Sequence, residues 1–366
     1  MFEFIMERKM RKILMMVAVA MMTAMSAVAQ KIEVVDADGH GIPLVSVLTE
    51  DGTLIGTTDL SGVLSDVKGN AKVALTHVAY KPQMVTVASL VDGKVTMEDL
   101  DYSLTEVVVK PKPYIYVEAL YRVYVYRNDS LCYFMSGIMP NAYNVQKKKL
   151  EHGSYYQARA EYCANWGAST TWGARAQVYH AGMITTFPLD VVEQKMKDRY
   201  FVSTTVNSPS RSTYSNAKGV IGYLTRNNGQ VRMTLDAGKE QMYANEVKGE
   251  TKLLEKRQEK GYEYQFVMAW KENEERTTGI ENFLMDSNHW EYNDKKGHVK
   301  FFVETYATDH YYMDKEEWKA RKKAIKKEYG ESMTLDQLAE YERQHHIPSL
   351  SPATLQAIGK LKSQWG

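Results

Sequence analysis

Tyr114-Ile115-Tyr116-Val117-Glu118-Ala119-Leu120-Tyr121-Arg122-Val123-Tyr124-Val125-Tyr126 alternates over thirteen residues, and its reading sets the class of the chain. Ile115, Val117, Ala119, Tyr121, Val123 and Val125 fall on one face of an extended strand, because side chains switch faces at every residue. β-branched and aromatic residues dominate the run, and Gly and Pro are absent from it. Similar runs follow at Tyr155–Tyr162, Ala176–Ile184, Tyr200–Val206, Gly219–Leu224, Val231–Leu235, Tyr262–Trp270, Ile280–Met285 and Val299–Thr305. Turns such as Asn227-Asn228-Gly229 and Asp294–Gly297 separate them. Residues 114–310 are thus expected to form an antiparallel β-rich domain: a large curved sheet, a half-barrel or a sandwich.

Residues 30–110 read as a smaller β unit. Lys31–Val35 alternates, Asp36–Gly41 turns, Leu44–Leu48 alternates again, and Asp51-Gly52 and Ser61-Gly62 mark further turns before Val73–Val78, Val85–Val87 and Val95–Met97. So many short strands in so few residues predict a β-sandwich. Asp36 and Asp38 beside Gly39 are read as an ordinary turn, since no glutamate follows where a calcium-binding helix-loop-helix loop needs one.

Four blocks of this unit carry a resemblance: Ile42–Val47, Gly56-Thr57-Thr58-Asp59-Leu60-Ser61-Gly62, Thr76–Tyr80 and Leu104-Thr105-Glu106-Val107-Val108-Val109. Together they resemble the carboxypeptidase regulatory-like domain, found at the N-termini of exported proteins and TonB-dependent receptors of Bacteroidetes-type bacteria. The resemblance implies a transthyretin-like sandwich without catalytic residues of its own. Ser65–Ala71 departs from it, being more polar than the strand usually found there. A receptor would continue into a plug and a barrel of roughly 22 strands. Only 256 residues lie between Lys110 and the end at Gly366, so the transporter reading is set aside, and Lys110-Pro111-Lys112-Pro113 is read as a stiff linker.

Residues 1–29 have the form of a signal peptide. Arg8, Lys9, Arg11 and Lys12 make a basic region, Ile13–Met25 an apolar one, and Ala27-Val28-Ala29 the small residues of a cleavage site. The apolar run is shorter than the roughly 20 residues a membrane-spanning helix needs. The protein is therefore expected outside the cytoplasm, in the periplasm or at the cell surface, not integral to a membrane once the signal is removed. Lys and Glu interrupt most strands, which argues against an outer-membrane barrel despite 25 tyrosines.

Residues 314–366 change period and are expected to form a helical tail. Asp314 caps a first helix towards Tyr329, Thr334-Leu335-Asp336-Gln337 is a capping box for a second, and Ser351-Pro352 starts a third with Leu355, Ile358 and Leu361 on one face. Lys319, Arg321, Lys322, Lys323, Lys326 and Lys327 could meet anionic headgroups, but Glu316, Glu317 and Glu328 favour a solvated helix face.

Charge and motifs exclude more than they assign. With 46 Lys+Arg against 45 Asp+Glu the chain lacks the basic excess of a nucleic-acid binder. No zinc-peptidase pair, Gly-x-Ser-x-Gly elbow or phosphate-cradling loop occurs, and no cofactor motif is present. The Ser-x-x-Lys tetrads Ser65–Lys68 and Ser215–Lys218 lack the companion motifs of penicillin-binding enzymes. His289, His298 and His310, with Asp309, form a metal set only if adjacent strands bring them together. Cys132 and Cys163, in an exported chain, either form a disulfide worth about 3–4 kcal/mol or stay as two buried thiols. Tyr162, Trp166 and Trp172, among Gly and small polar residues, form the candidate ligand surface. The expected function is an envelope-associated, non-catalytic binding or scaffolding protein with an envelope protein, glycan or lipid as partner. A half-barrel lipid carrier and a hydrolase with a non-linear site are the alternatives.

Overall fold

A computed structural model describes residues 29–69, 71–102, 112–147, 149–150, 156–162, 189–200, 202–217, 219–227, 229–236, 263–272, 279–294, 296–328 and 335–363. The segment read as a signal peptide, residues 1–29, lies outside these except for Ala29, which pairs with Lys68. The fold is mainly β.

Seven strands build the N-terminal sandwich: β1 (Ala29–Val35), β2 (Ser46–Thr49), β3 (Leu54–Thr57), β4 (Val63–Lys68), β5 (Lys72–His77), β6 (Tyr80–Thr86) and β7 (Lys94–Thr96). One sheet has the order β4-β1-β7 and the other β3-β2-β5-β6. Ile32, Val34, Val47, Val73 and Leu75 are fully buried between them, as the alternation requires. The polar Ser65–Lys68 run lies on β4, an edge strand with an exposed outer side. Gly62 has φ of 78°, and a Cβ there would stand 2.4 Å from the Val34 carbonyl oxygen, so only glycine fits this turn.

The larger domain is one open sheet. Its strands are β8 (Tyr114–Arg127), β9 (Ser130–Asn144), β10 (Lys149–Leu150), β11 (Tyr156–Tyr162), β12 (Ser203–Ser208), β13 (Arg211–Asn216), β14 (Gly219–Asn227), β15 (Gln230–Asp236), β16 (Glu263–Lys271), β17 (Phe283–Asp294), β18 (Gly297–Met313) and β19 (Lys362–Ser363). They hydrogen-bond in the order β12-β13-β14-β15-β16-β17-β18-β8-β9-β11-β19, with β10 on β9, and all the pairs are antiparallel. A two-residue turn with Asn128 and Asp129 both at positive φ joins β8 to β9, the twist that such hairpins favour.

β8 is buried along both faces, where its sequence pattern marks one. The odd positions Val117, Tyr121, Val123 and Val125 share an apolar cluster with Met268, Trp270 and Phe301, and Leu189, Val192 and Met196 of α1 (Leu189–Tyr200) pack into it. Of the even positions, Tyr114 and Tyr116 pack with Met313 and Trp318, while Leu120 lies under the sandwich, where it and Ile138, Val267, Ala269 and Tyr306 meet Val45, Val78 and Tyr80.

Three helices close the chain: α2 (Lys315–Glu328), α3 (Leu335–Gln344) and α4 (Pro352–Gly359). Asp314 caps α2 as expected, accepting from the amides of Glu316 at 2.9 Å and Glu317 at 2.8 Å, while Glu317 accepts from the Asp314 amide. Ser351 caps α4, accepting from the Thr354 amide at 3.1 Å. The segment is a strap. Leu338 and Ile347 enter the cluster between sandwich and sheet, and Ala353, Ala357 and Ile358 wedge between Leu48, Leu54 and Ala74 of the sandwich and Tyr124, Phe134 and Phe302 of the sheet. Leu355, expected on the packed face, is 49% exposed, because the small residues Ala353 and Ala357 allow the closer approach. Thr334 of the second capping box is outside the described residues. No helix among the described residues is long and apolar enough to cross a membrane.

Candidate functional site

The large sheet is wider than the sandwich it carries, and its uncovered margin becomes the floor of a cleft. On β13, β14 and β15 the register pairs Arg211 with Thr225, Thr225 with Arg232 and Tyr223 with Thr234. Cross-strand partners share a face, so Arg211, Tyr223, Thr225, Arg232 and Thr234 form one polar surface while Val231, Met233 and Leu235 point to the apolar side. The sandwich supplies the facing wall through its 36–43 and 98–101 loops. The enclosed volume is about 490 Å³, within the ~300–1,000 Å³ of ligand sites.

The two walls carry opposite charge. Asp36, Asp38, Glu98, Asp99 and Asp101 lie on the sandwich side, and Arg211, Arg226 and Arg232 on the sheet side. Arg232 donates to Asp99 at 3.1 Å and to the Tyr80 hydroxyl at 2.5 Å, lies 4.5 Å over the Tyr80 ring, and so ties the walls together. Burial pushes the Tyr80 hydroxyl up to about 12 against the pull of Arg232, so it stays protonated at neutral pH. Arg226 is paired with Glu272, and Asn227 donates to Asp38 at 3.4 Å. Arg211 lies 4.2 Å over the Tyr223 ring.

The Asp36 turn is the one read from the sequence. Its Oδ1 accepts from the amides of Asp38 at 3.0 Å and His40 at 2.8 Å, and Gly39 takes φ of 81°. Asp36, Asp38 and His40 place one donor atom each within 4.8 Å of one another, the one such set among the described residues.

Beneath the sandwich lies a second, tighter cavity of about 50 Å³ with a buried polar network. Arg122 donates to Glu342 at 2.6 Å and to the Pro348 carbonyl at 2.7 Å, and lies 3.8 Å from Glu304, which accepts from the Tyr124 hydroxyl at 3.0 Å. Burial pushes the Glu304 carboxyl up, opposed by the Arg122 guanidinium. Ser287 Oγ and His289 Nε2 are 2.9 Å apart on β17, and burial holds His289 down at about 3. Among the described residues His289 Nδ1 has no partner and no carboxylate orients the ring as a hydrolytic triad would, and the cavity has room only for water-sized groups.

None of the described candidate site residues marked in the sequence lines the cleft. Tyr162 is on β11, pairing with Tyr133 and Lys362, while Trp166 and Trp172 lie outside the described residues. Cys132 packs against the apolar face of the sheet, and Cys163 is outside the described residues. His298 contacts Asn293 and Glu291 at a hairpin end, and His289 pairs with Phe302, eight residues or roughly 26 Å along β18 from His310. These histidines and Asp309 do not converge. Ser65 and Lys68 are exposed on β4, and Lys218 is outside the described residues. Of the basic run on α2, Lys319 pairs with Glu316, Arg321 with Glu118, and Lys322 lies over Trp318. Arg211, Tyr223 and Arg232 carry a signal the sequence did show: arginines and hydroxyls alternating with Val231, Met233 and Leu235 mean a strand whose second face is polar.

No protein-family model matches the chain, and no curated protein matches it. Among solved structures, one described as lipid-protein interactions in lipovitellin is similar over 55% of this chain and 26% of that one, with 8% identity and a TM-score of 0.27. The chain spans about a quarter of that protein's length, and a likeness this slight carries no argument about fold or ligand.

Proposed function

We propose that the chain is an exported, envelope-associated binding protein that takes a polar ligand in the cleft between its sandwich and its sheet. The sandwich, with its resemblance to the carboxypeptidase regulatory-like domain, then serves as a mount and as one wall of the site. The observation that carries the reading is the cleft of about 490 Å³, with carboxylates on one wall and guanidinium and hydroxyl groups on the other. Such a lining favours recognition of hydroxyl-rich or charged molecules over apolar ones.

Chemical-shift mapping tests this with a panel of neutral oligosaccharides, acidic oligosaccharides and short peptides. A ligand is expected to move the signals of Thr225, Asn227, Gln230 and Asp101 together. Silence at those positions, with a fatty acid probe moving Val231, Met233 and Leu235 instead, would overturn the cleft and support the lipid carrier, whose ligand belongs on the opposite, apolar face.

A further inference from the structure

We propose that the cleft takes an anionic saccharide, whose carboxylate is held by Arg211 while its hydroxyls donate to the carboxylates of the facing loops; this rests on the cleft being the ligand site. Three guanidinium groups line the floor, and two are committed. Arg226 is paired with Glu272, and Arg232 with Asp99 and Tyr80. Arg211 has no carboxylate partner among the described residues. It is half-buried, and its guanidinium carbon lies 4.2 Å over the Tyr223 ring, a cation–π contact that uses none of its N–H donors and leaves them for a planar, two-oxygen acceptor. The Ser208 and Ser210 hydroxyls, 3.1 Å from each other, line the same end of the cleft.

The facing wall demands the opposite chemistry. Among the described residues Asp101 makes no hydrogen bond or ion pair, and the Asp38 carboxylate takes only the Asn227 amide, at 3.4 Å. Ionised carboxylates only accept, so this side of the ligand must donate. A sugar acid provides both halves within one ring: a carboxylate for the arginine and hydroxyl donors for the loop. A peptide carboxylate also suits Arg211, but its side chains need apolar seats, and the larger aliphatic residues of the lining, Ile42 and Leu100, are buried.

Titration calorimetry of the full chain with trigalacturonate, its methyl ester and the peptide Lys-Ala-Ala tests the assignment. The ester keeps the shape and hydroxyls and removes the charge. The acid is expected to bind about tenfold to a hundredfold more tightly than the ester, the range of a charge-assisted hydrogen bond. Arg211→Gln should erase that preference without changing the melting temperature, and Arg211→Lys, with charge but no planar fork, should fall between. Equal binding of acid and ester overturns the anionic ligand and leaves the cleft standing as a polar site. A preference that survives in Arg211→Gln removes Arg211 from the role, and tighter binding of the peptide than of trigalacturonate replaces the saccharide. If no probe, neutral or charged, binds in the cleft, both this assignment and the reading beneath it fall.

Discussion

Arg122 is 2% exposed at the middle of β8, and its environment explains why a charge is tolerated there. Glu342 of α3 and the Pro348 carbonyl saturate one side of the guanidinium, and Glu304 of β18 faces the other. Removing one member leaves a buried charge unpaired, which costs more than the pair itself contributes. Glu342→Gln is expected to lower the unfolding free energy in urea by about 3–5 kcal/mol, whereas Arg122→Met combined with Glu342→Leu should cost less than that. A double variant no more stable than the single would refute the pairing. His289 gives a pH signature. Its folded value near 3 lies below the unfolded value near 6.5, because burial disfavours the imidazolium. As pH falls from about 6.5 towards 3 the unfolded chain takes up a proton that the folded chain refuses, so this group makes stability fall with pH through that window. Glu304 and Asp286, raised by burial, act in the opposite sense as the pH falls, so the contribution of His289 is read by difference. His289→Leu should flatten the fall of stability by about 1.4 kcal/mol per pH unit within that window, and an unchanged slope would show that His289 titrates normally. Neither residue was legible as a buried polar group. The alternation of β8 places Arg122 on the face opposite the apolar one, and only the docked sandwich and the C-terminal strap turn that face into interior.

At the scale of elements, the strap depends on a glycine. Gly52 ends the hairpin between β2 and β3 with φ of 83°, and a Cβ there would stand 2.5 Å from both the Ala353 carbonyl oxygen and the Ala357 methyl. Gly52→Ala therefore combines a left-handed backbone, about 1–2 kcal/mol for a non-glycine residue, with displacement of α4. A lower melting temperature and faster amide exchange across residues 352–359 are expected, and unchanged exchange in α4 would refute the contact. Strand positions were largely legible: β8, β11, β15 and β16 fall within a few residues of their apolar runs, while β18 begins near its run but continues eight residues past Thr305 to Met313. β9 and β13 were not. β9 contains Gly137 and Pro140, residues that argue against a central strand, yet Pro140 stands where neither β10 nor β11 pairs with β9, so its missing N–H costs no ladder bond on that side. β13 is Arg, Ser, Thr, Tyr, Ser and Asn, with Tyr214 its one buried side chain, and lacks the apolar alternation by which a strand is read. The capping residues fixed where α2 and α4 begin, but a short amphipathic helix announces only that it packs, not on what.

For the molecule as a whole, composition and pattern were enough for the β class and for the change to helices near residue 314. The cleft was not, because it exists only where a sandwich loop meets a sheet margin: Asp38 and Asn227, which touch across it, are 189 residues apart. No local pattern records such a meeting. The same long-range wiring governs how the chain can assemble. β8 has a local neighbour in β9, but its other neighbour, β18, spans Gly297–Met313 and leaves the ribosome some 180 residues later. The sandwich and the β8–β9 hairpin can form early, whereas the ladder between β8 and β18 must wait for nearly the whole chain. Until then the richest strand in the protein is a bare edge, lined with valine and tyrosine and open to pairing with other chains. A slow, non-local closing step, with the C-terminal strap latching last, is the kinetic cost of placing the first strand of the large sheet beside its last long one.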